Sequence, residues 1–223
     1  VTGGGSVGLR WQPLPFVSVG LALITRADMT VEGDVELTLG EDALSPGQTL
    51  EGTQRTGLFL PWTVQAGLHL DVTSWLEVGV EWRYFVWRQL REQRTTIEGI
   101  DLIDELVVPR RYIDSIHIGG GVRVQPPWLA DLELMLGMHW DTTPAPDPNV
   151  SVEQPTFTHV GLRTGVRYRV ARSLRLAASY VHYWYTGRGT DESVTTPPSN
   201  FRGDGVNHIA TVVVEWRVAG PPD

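Results

Sequence analysis

Three kinds of residue in this 223-residue chain carry chemistry. The first is histidine. There are six, and His69, His117 and His139 fall on the same parity of their segments, but no spacing within one segment makes a metal-ligand pair, so no metal is expected. The second is a nucleophile with a base. Ser115 and His117 stand two apart with Asp114 next door, but Asp114 falls on the opposite parity, so the orienting group of a hydrolytic triad is missing and no enzyme is expected. The third is arginine. Arg83, Arg123, Arg163 and Arg167 share a parity with many carboxylates, so each suits either an ion-pair ladder or a ligand's polar head.

Other chemistries are excluded. There is no Cys, hence no disulfide framework or thiolate site. "GGGSVG" (3–8) and "GGG" (119–121) lie at or within extended segments with no helix behind them, so they do not cradle a phosphate. A net charge of −8 argues against nucleic acid as a partner. All 18 basic residues are Arg. No cofactor is implied.

These residues must be positioned by strands, because helical periodicity is nearly absent; the one helical candidate is "IDLIDELV" (100–107). Period-2 alternation defines nine segments: 5–12, 15–37, 57–71, 74–90, 110–125, 128–142, 156–170, 173–186 and 204–218. Most run 13 to 17 residues, against about 5–6 for strands in globular proteins. Connections alternate. Short ones sit at 13–15, 72–74, 125–128 and 171–173, and long polar ones at 38–56, 91–109, 143–155 and 187–203. This is the pattern of an antiparallel up-and-down transmembrane β-barrel.

One parity of each segment is almost purely apolar, as in Leu132, Leu134, Leu136, Met138 and Trp140. The other is polar, charged or small, as in Ser115, His117, Gly119, Gly121 and Arg123. The apolar rows therefore face lipid and the charged rows a closed interior. Trp11, Tyr168 and Trp216 near the short turns, and Trp62, Trp140 and Trp184 near the long connections, form two interfacial belts; Trp82 and Tyr84 sit nearer mid-strand. For a hydrophobic ligand, inward Phe85, Trp87, Met135, Val181 and Tyr183 offer apolar contacts, and Arg83, Arg123, Arg163 and Arg167 offer a head-group cation.

Several stretches resemble the FadL family of outer-membrane transporters for long-chain fatty acids and other hydrophobic compounds. They are "GLRWQPLPFVSVGLALITRADMTVEGD" (8–34), "LPWTVQAGLHLDVTSWLEVGVEW" (60–82), "GMHWDTTPAPDPNV" (137–150), "FTHVGLRTGVRYRVARSLRLAASYVHYW" (157–184) and "GDGVNHIATVVVEWRV" (203–218). The resemblance implies a fourteen-stranded barrel in the bacterial outer membrane. Nine strands would then be its C-terminal portion, residues 1–218, with 219–223 a short periplasmic tail. The family's N-terminal hatch and kinked early strand are not in this sequence, and the last strand ends Trp216-Arg217-Val218 rather than in an aromatic residue. The expected function is passive, ATP-independent uptake of hydrophobic small molecules by a monomer among membrane lipids. A structural or adhesive barrel binding a partner through its long loops is the alternative.

Overall fold

The structure, a computed structural model, describes residues 3–40, 47–150, 156–195, 198 and 200–217. Among these residues thirteen strands follow in chain order: β1 (Ser6–Leu14), β2 (Val17–Ile24), β3 (Ala27–Thr38), β4 (Thr49–Leu60), β5 (Thr63–Thr73), β6 (Leu76–Phe85), β7 (Glu92–Glu98), β8 (Glu105–Pro109), β9 (Ser115–Val124), β10 (Leu132–Asp141), β11 (His159–Ala171), β12 (Leu174–Thr190) and β13 (Phe201–Trp216). Nine form one antiparallel sheet in the order β1-β2-β5-β6-β9-β10-β11-β12-β13. Each overlaps one of the nine segments expected from the alternation, but the segment 15–37 divides into β2 and β3, which lie in different sheets, and 57–71 takes in the end of β4 before β5. The other four form a second sheet, β3-β4-β7-β8.

The large sheet has no protein core behind its apolar face. Among the described residues only Ile100, Tyr112, Ala145 and Val150 are buried hydrophobics. The outward rows stay bare: Val212 is 77% exposed, Val7 and Leu9 67% each. An apolar surface this continuous has no place in water, and it fits a hydrocarbon surround.

The register fixes the strand tilt. Leu21, Ala66, Trp82, Ile118, Trp140, Val160 and Trp184 lie in one cross-strand row. From that row the short turn lies five residues away at Phe16 on β2, seven at Trp75 on β6 and eleven at Ser173 on β12. The first step is two residues over two strands and the second four over four, hence one residue per strand. With a rise of about 3.4 Å and a spacing of about 4.8 Å, turns lying in one plane require strands tilted by about 35°, the value of spanning barrels.

The second sheet corrects two sequence expectations. The segments 38–56 and 91–109, expected as loops, are largely strand, and "IDLIDELV" is not a helix. Gly99 (φ 92°) turns the chain back after β7, Ile103 N–H donates to the Ile100 carbonyl, and Glu105–Val107 enter β8. β3 alternates strictly, with Met29, Val31, Val35 and Leu37 against Thr30, Glu32, Asp34 and Glu36, and so continued the expected segment 15–37, whereas β4 and β7 carry polar residues on both parities. The sheet is held by its ladders and by charges across strands. Arg55 reaches Glu32 (3.3 Å) and Glu98 (3.1 Å), Arg94 reaches Glu92 (2.5 Å) and Glu105 (3.0 Å), and Thr56 and Thr95 share a hydroxyl bond (2.8 Å). The sheet grows from the long-connection end of the barrel wall, β3 following β2 and β4 leading into β5.

A small cluster caps that end. Tyr112, Ala145 and Val150 are buried, with Trp87, Leu90 and Phe201 against them. Arg188, 9% exposed, organises the neighbouring loop by donating to Asp147 (2.6 Å) and to the carbonyls of Ala145 and Thr156 (2.7 Å each). Residues 219–223, the expected tail, lie outside the described residues.

Candidate functional site

The inner face of the large sheet holds a cavity of about 680 Å³. Its floor comes from part of one cross-strand row, Gly79, Gly121, Gly137 and Arg163, a row that His69 continues on one side and Val181 and Ile209 on the other. Three glycines in succession remove the side chains from three strands and leave bare backbone as the wall. Gly121 needs that bareness, since a Cβ there would lie 2.8 Å from the Leu136 carbonyl oxygen. The next row toward the short turns runs Glu77, Arg123, Met135, Gly165, Ser179 and Thr211.

Charged groups bound the cavity on both sides. Toward the short turns, Arg123 pairs with Glu77 and lies 3.7 Å from Glu133, which Arg167 meets at 3.0 Å. His69 lies 3.1 Å from Asp71. Toward the long connections, Arg83 pairs with Glu81 (2.6 Å), and His117 spans Glu81 (3.1 Å) and Asp141 (2.8 Å). His139 stacks on His117 with ring centres 5.5 Å apart, and Tyr183 stands edge-on to it at 5.6 Å.

The residues expected to contact a ligand divide by place. Met135, Arg123, Arg163 and Arg167 line the cavity. Arg83 and Tyr183 belong to the histidine-rich zone beside it. Phe85 closes β6 opposite Thr63 and Ser115. Trp87 does not continue the inward row, because the strand stops at Phe85 and a 3-10 turn over Trp87–Gln89 takes its ring against Phe59 and Tyr112, 6.1 Å from each. Arg83, Arg123 and Arg167 each have a carboxylate partner. Arg163 has none among the described residues, a distinction the sequence does not make.

The hydrolytic alternative has no geometry. Both nitrogens of His117 face carboxylates, so neither is directed at Ser115, and Asp114 instead accepts from the Tyr84 hydroxyl (2.5 Å). Sequence reasoning missed the gathering of His139, Asp141 and His159, which come from two strands. His159 lies beside Asp141 in the register, and His139 is opposite Gly161.

The chain thus has an alternating barrel wall with an apolar outside and a polar, glycine-lined inside. No family model matches it, and no curated protein does. Solved structures do. It is similar to a Pseudomonas aeruginosa FadL homologue (TM-score 0.73, 13% identity, 94% of this chain and 50% of that one). It is also similar to the P. putida toluene transporter TodX (TM-score 0.71, 16% identity, 98% and 49%) and to the CymD monoaromatic hydrocarbon channel (TM-score 0.68, 17% identity, 95% and 49%). The likeness is one of fold, and the fold is that of the FadL-type barrels. The chain spans about half the length of the solved structures it matches.

Proposed function

We propose that this chain forms part of a passive uptake path for small hydrophobic molecules across the bacterial outer membrane. The observation that carries the reading is the glycine floor of the inner cavity, Gly79, Gly121 and Gly137, set between two zones of paired charges. Bare backbone, Met135, Ala177 and Val213 offer van der Waals surface to an apolar body. Three of the four arginines are neutralised by neighbours, so the wall presents little free charge to an uncharged ligand. Arg163 is the donor available for a carboxylate or hydroxyl head.

Compact aromatic or alkyl compounds suit such a surface. Similar structures named as a toluene transporter and a monoaromatic hydrocarbon channel support that substrate class. Movement down a concentration gradient draws on no ATP and no cofactor. Phe85, Trp87, Tyr183 and Arg83, nearer the long connections, would meet the ligand before Met135, Arg123, Arg163 and Arg167. We place the protein in the outer membrane as a monomer surrounded by lipid, with residues 219–223 as a periplasmic tail.

The test is uptake of a labelled aromatic hydrocarbon and of a long-chain fatty acid by cells with and without the full-length gene. Faster uptake of either supports the reading. Equal rates for every hydrophobic compound refute it and leave the partner-binding barrel.

A further inference from the structure

We infer that His139, Asp141 and His159 form a divalent transition-metal site on the inner wall. The inference goes beyond the uptake reading and stands or falls separately from it. Asp141 Oδ2 lies 3.5 Å from His139 Nε2 and 3.4 Å from His159 Nε2. All three ligand atoms fall within 4.8 Å of one another. These spacings are too long for good hydrogen bonds. They match the edge of a tetrahedron, about 3.4 Å for metal–ligand bonds of about 2.1 Å.

Each ligand is prepared by its neighbours. His159 Nδ1 lies 3.2 Å from the Phe157 carbonyl, so its proton sits there and the Nε2 lone pair points toward Asp141. Asp141 uses its other oxygen, Oδ1, for His117 Nδ1 (2.8 Å), and His117 is held in turn by Glu81. That leaves Oδ2 for a cation.

His139 supplies the independent observation. Its side chain is 4% exposed, its Nδ1 is buried without a partner, and neither ring nitrogen has a hydrogen bond among the described residues. A buried imidazole normally has a partner. A cation on Nε2 would give the ring one polar contact, with Nδ1 keeping the proton. The ring has also been given its own space: a Cβ on Gly161 would lie 1.9 Å from its Cε1.

Two imidazoles and one carboxylate favour zinc, copper, nickel or iron over calcium or magnesium. Glu81 adds negative charge behind His117. Three protein ligands leave at least one position open, and His139 lines the cavity, so that position suits an oxygen donor such as water or a ligand's hydroxyl or carboxylate. The other grouping, His69 with Asp71 and Glu77, is more exposed, and its Glu77 is already engaged by Arg123.

The test is titration calorimetry with Zn²⁺ on the full-length protein in detergent after chelator treatment. One saturable site is expected, weakened at least about tenfold by His139→Gln, Asp141→Asn or His159→Gln and unchanged by His69→Gln. Copper(II) electron paramagnetic resonance on the unsubstituted protein reads the ligands without any variant, and coupling to two imidazole nitrogens is expected. No saturable binding overturns the site, as does binding that survives all three substitutions or is lost with His69→Gln. A copper spectrum without nitrogen coupling also overturns it.

Discussion

Gly161 stands directly across the β10–β11 ladder from His139, and a Cβ added to it would fall 1.9 Å from the imidazole Cε1. The ring cannot swing away freely, because His117, His159 and Tyr183 pack around it. Gly161→Ala should therefore cost about 1–3 kcal/mol, as overpacking does. It should also abolish Zn²⁺ binding by displacing one ligand. Unfolding midpoints and calorimetry in the same detergent measure both. A stable variant with undiminished Zn²⁺ binding would show that the ring has more room than its packing implies.

The assignment of faces is open to a direct probe because the chain has no cysteine. Met135 lines the cavity and its neighbour Leu136 points the other way, 51% exposed. In bilayers, Met135→Cys should react with a water-soluble maleimide and Leu136→Cys should be protected. Leu136→Arg should destabilise by about 2–4 kcal/mol if that position lies near the bilayer centre. Equal labelling of the two cysteines would contradict the lipid-facing assignment.

The arginines should separate by phenotype. Arg167 pairs with Glu133 in a half-exposed setting, and its loss should cost less than about 1 kcal/mol with little effect on uptake. Arg163 has no carboxylate partner among the described residues. Arg163→Ala should leave stability unchanged, slow uptake of a carboxylate-bearing ligand about tenfold, and spare a plain hydrocarbon. Uptake assays with both ligands decide it.

Asp114 anchors the segment before β9. Burial pushes its carboxyl up, but the Tyr84 hydroxyl (2.5 Å), the Arg88 N–H (3.0 Å) and the Arg88 guanidinium (2.8 Å) outweigh that and hold it below the ordinary carboxylate range. A lowered folded-state pKa gives stability that is present above the unfolded value, about 4, and is lost as pH falls through the folded one. Asp114→Asn should be less stable than the parent at pH 7, and the gap should close in acid. A gap that is the same at both pH values would refute the ionic role.

What the sequence made legible follows from the physics of each part. Strands facing lipid on one side must alternate, so Leu132 to Trp140 announced their outward parity without any structure. The β3-β4-β7-β8 sheet was hidden because β3 alternates in step with β2 and merged with it into one segment, while β4 and β7 carry polar residues on both parities. Trp87 was expected in the extended segment 74–90, since nothing local says that β6 stops at Phe85. The His139–Asp141–His159 grouping, and the lack of a carboxylate on Arg163 among the described residues, depend on which residues the register sets side by side. Spacing within one strand carries no such information.

The claim that the glycine-floored cavity is the path is tested most directly by filling it. A Cβ on Gly79 meets nothing nearer than the Leu68 carbonyl oxygen at 3.9 Å, so a larger side chain can enter without straining the sheet. Uptake of a labelled aromatic hydrocarbon should be compared in cells carrying the parent protein and Gly79→Trp at equal folded amounts in the outer membrane. Uptake by the variant should fall to the level of cells without the gene. Uptake equal to that of the parent would place the path elsewhere.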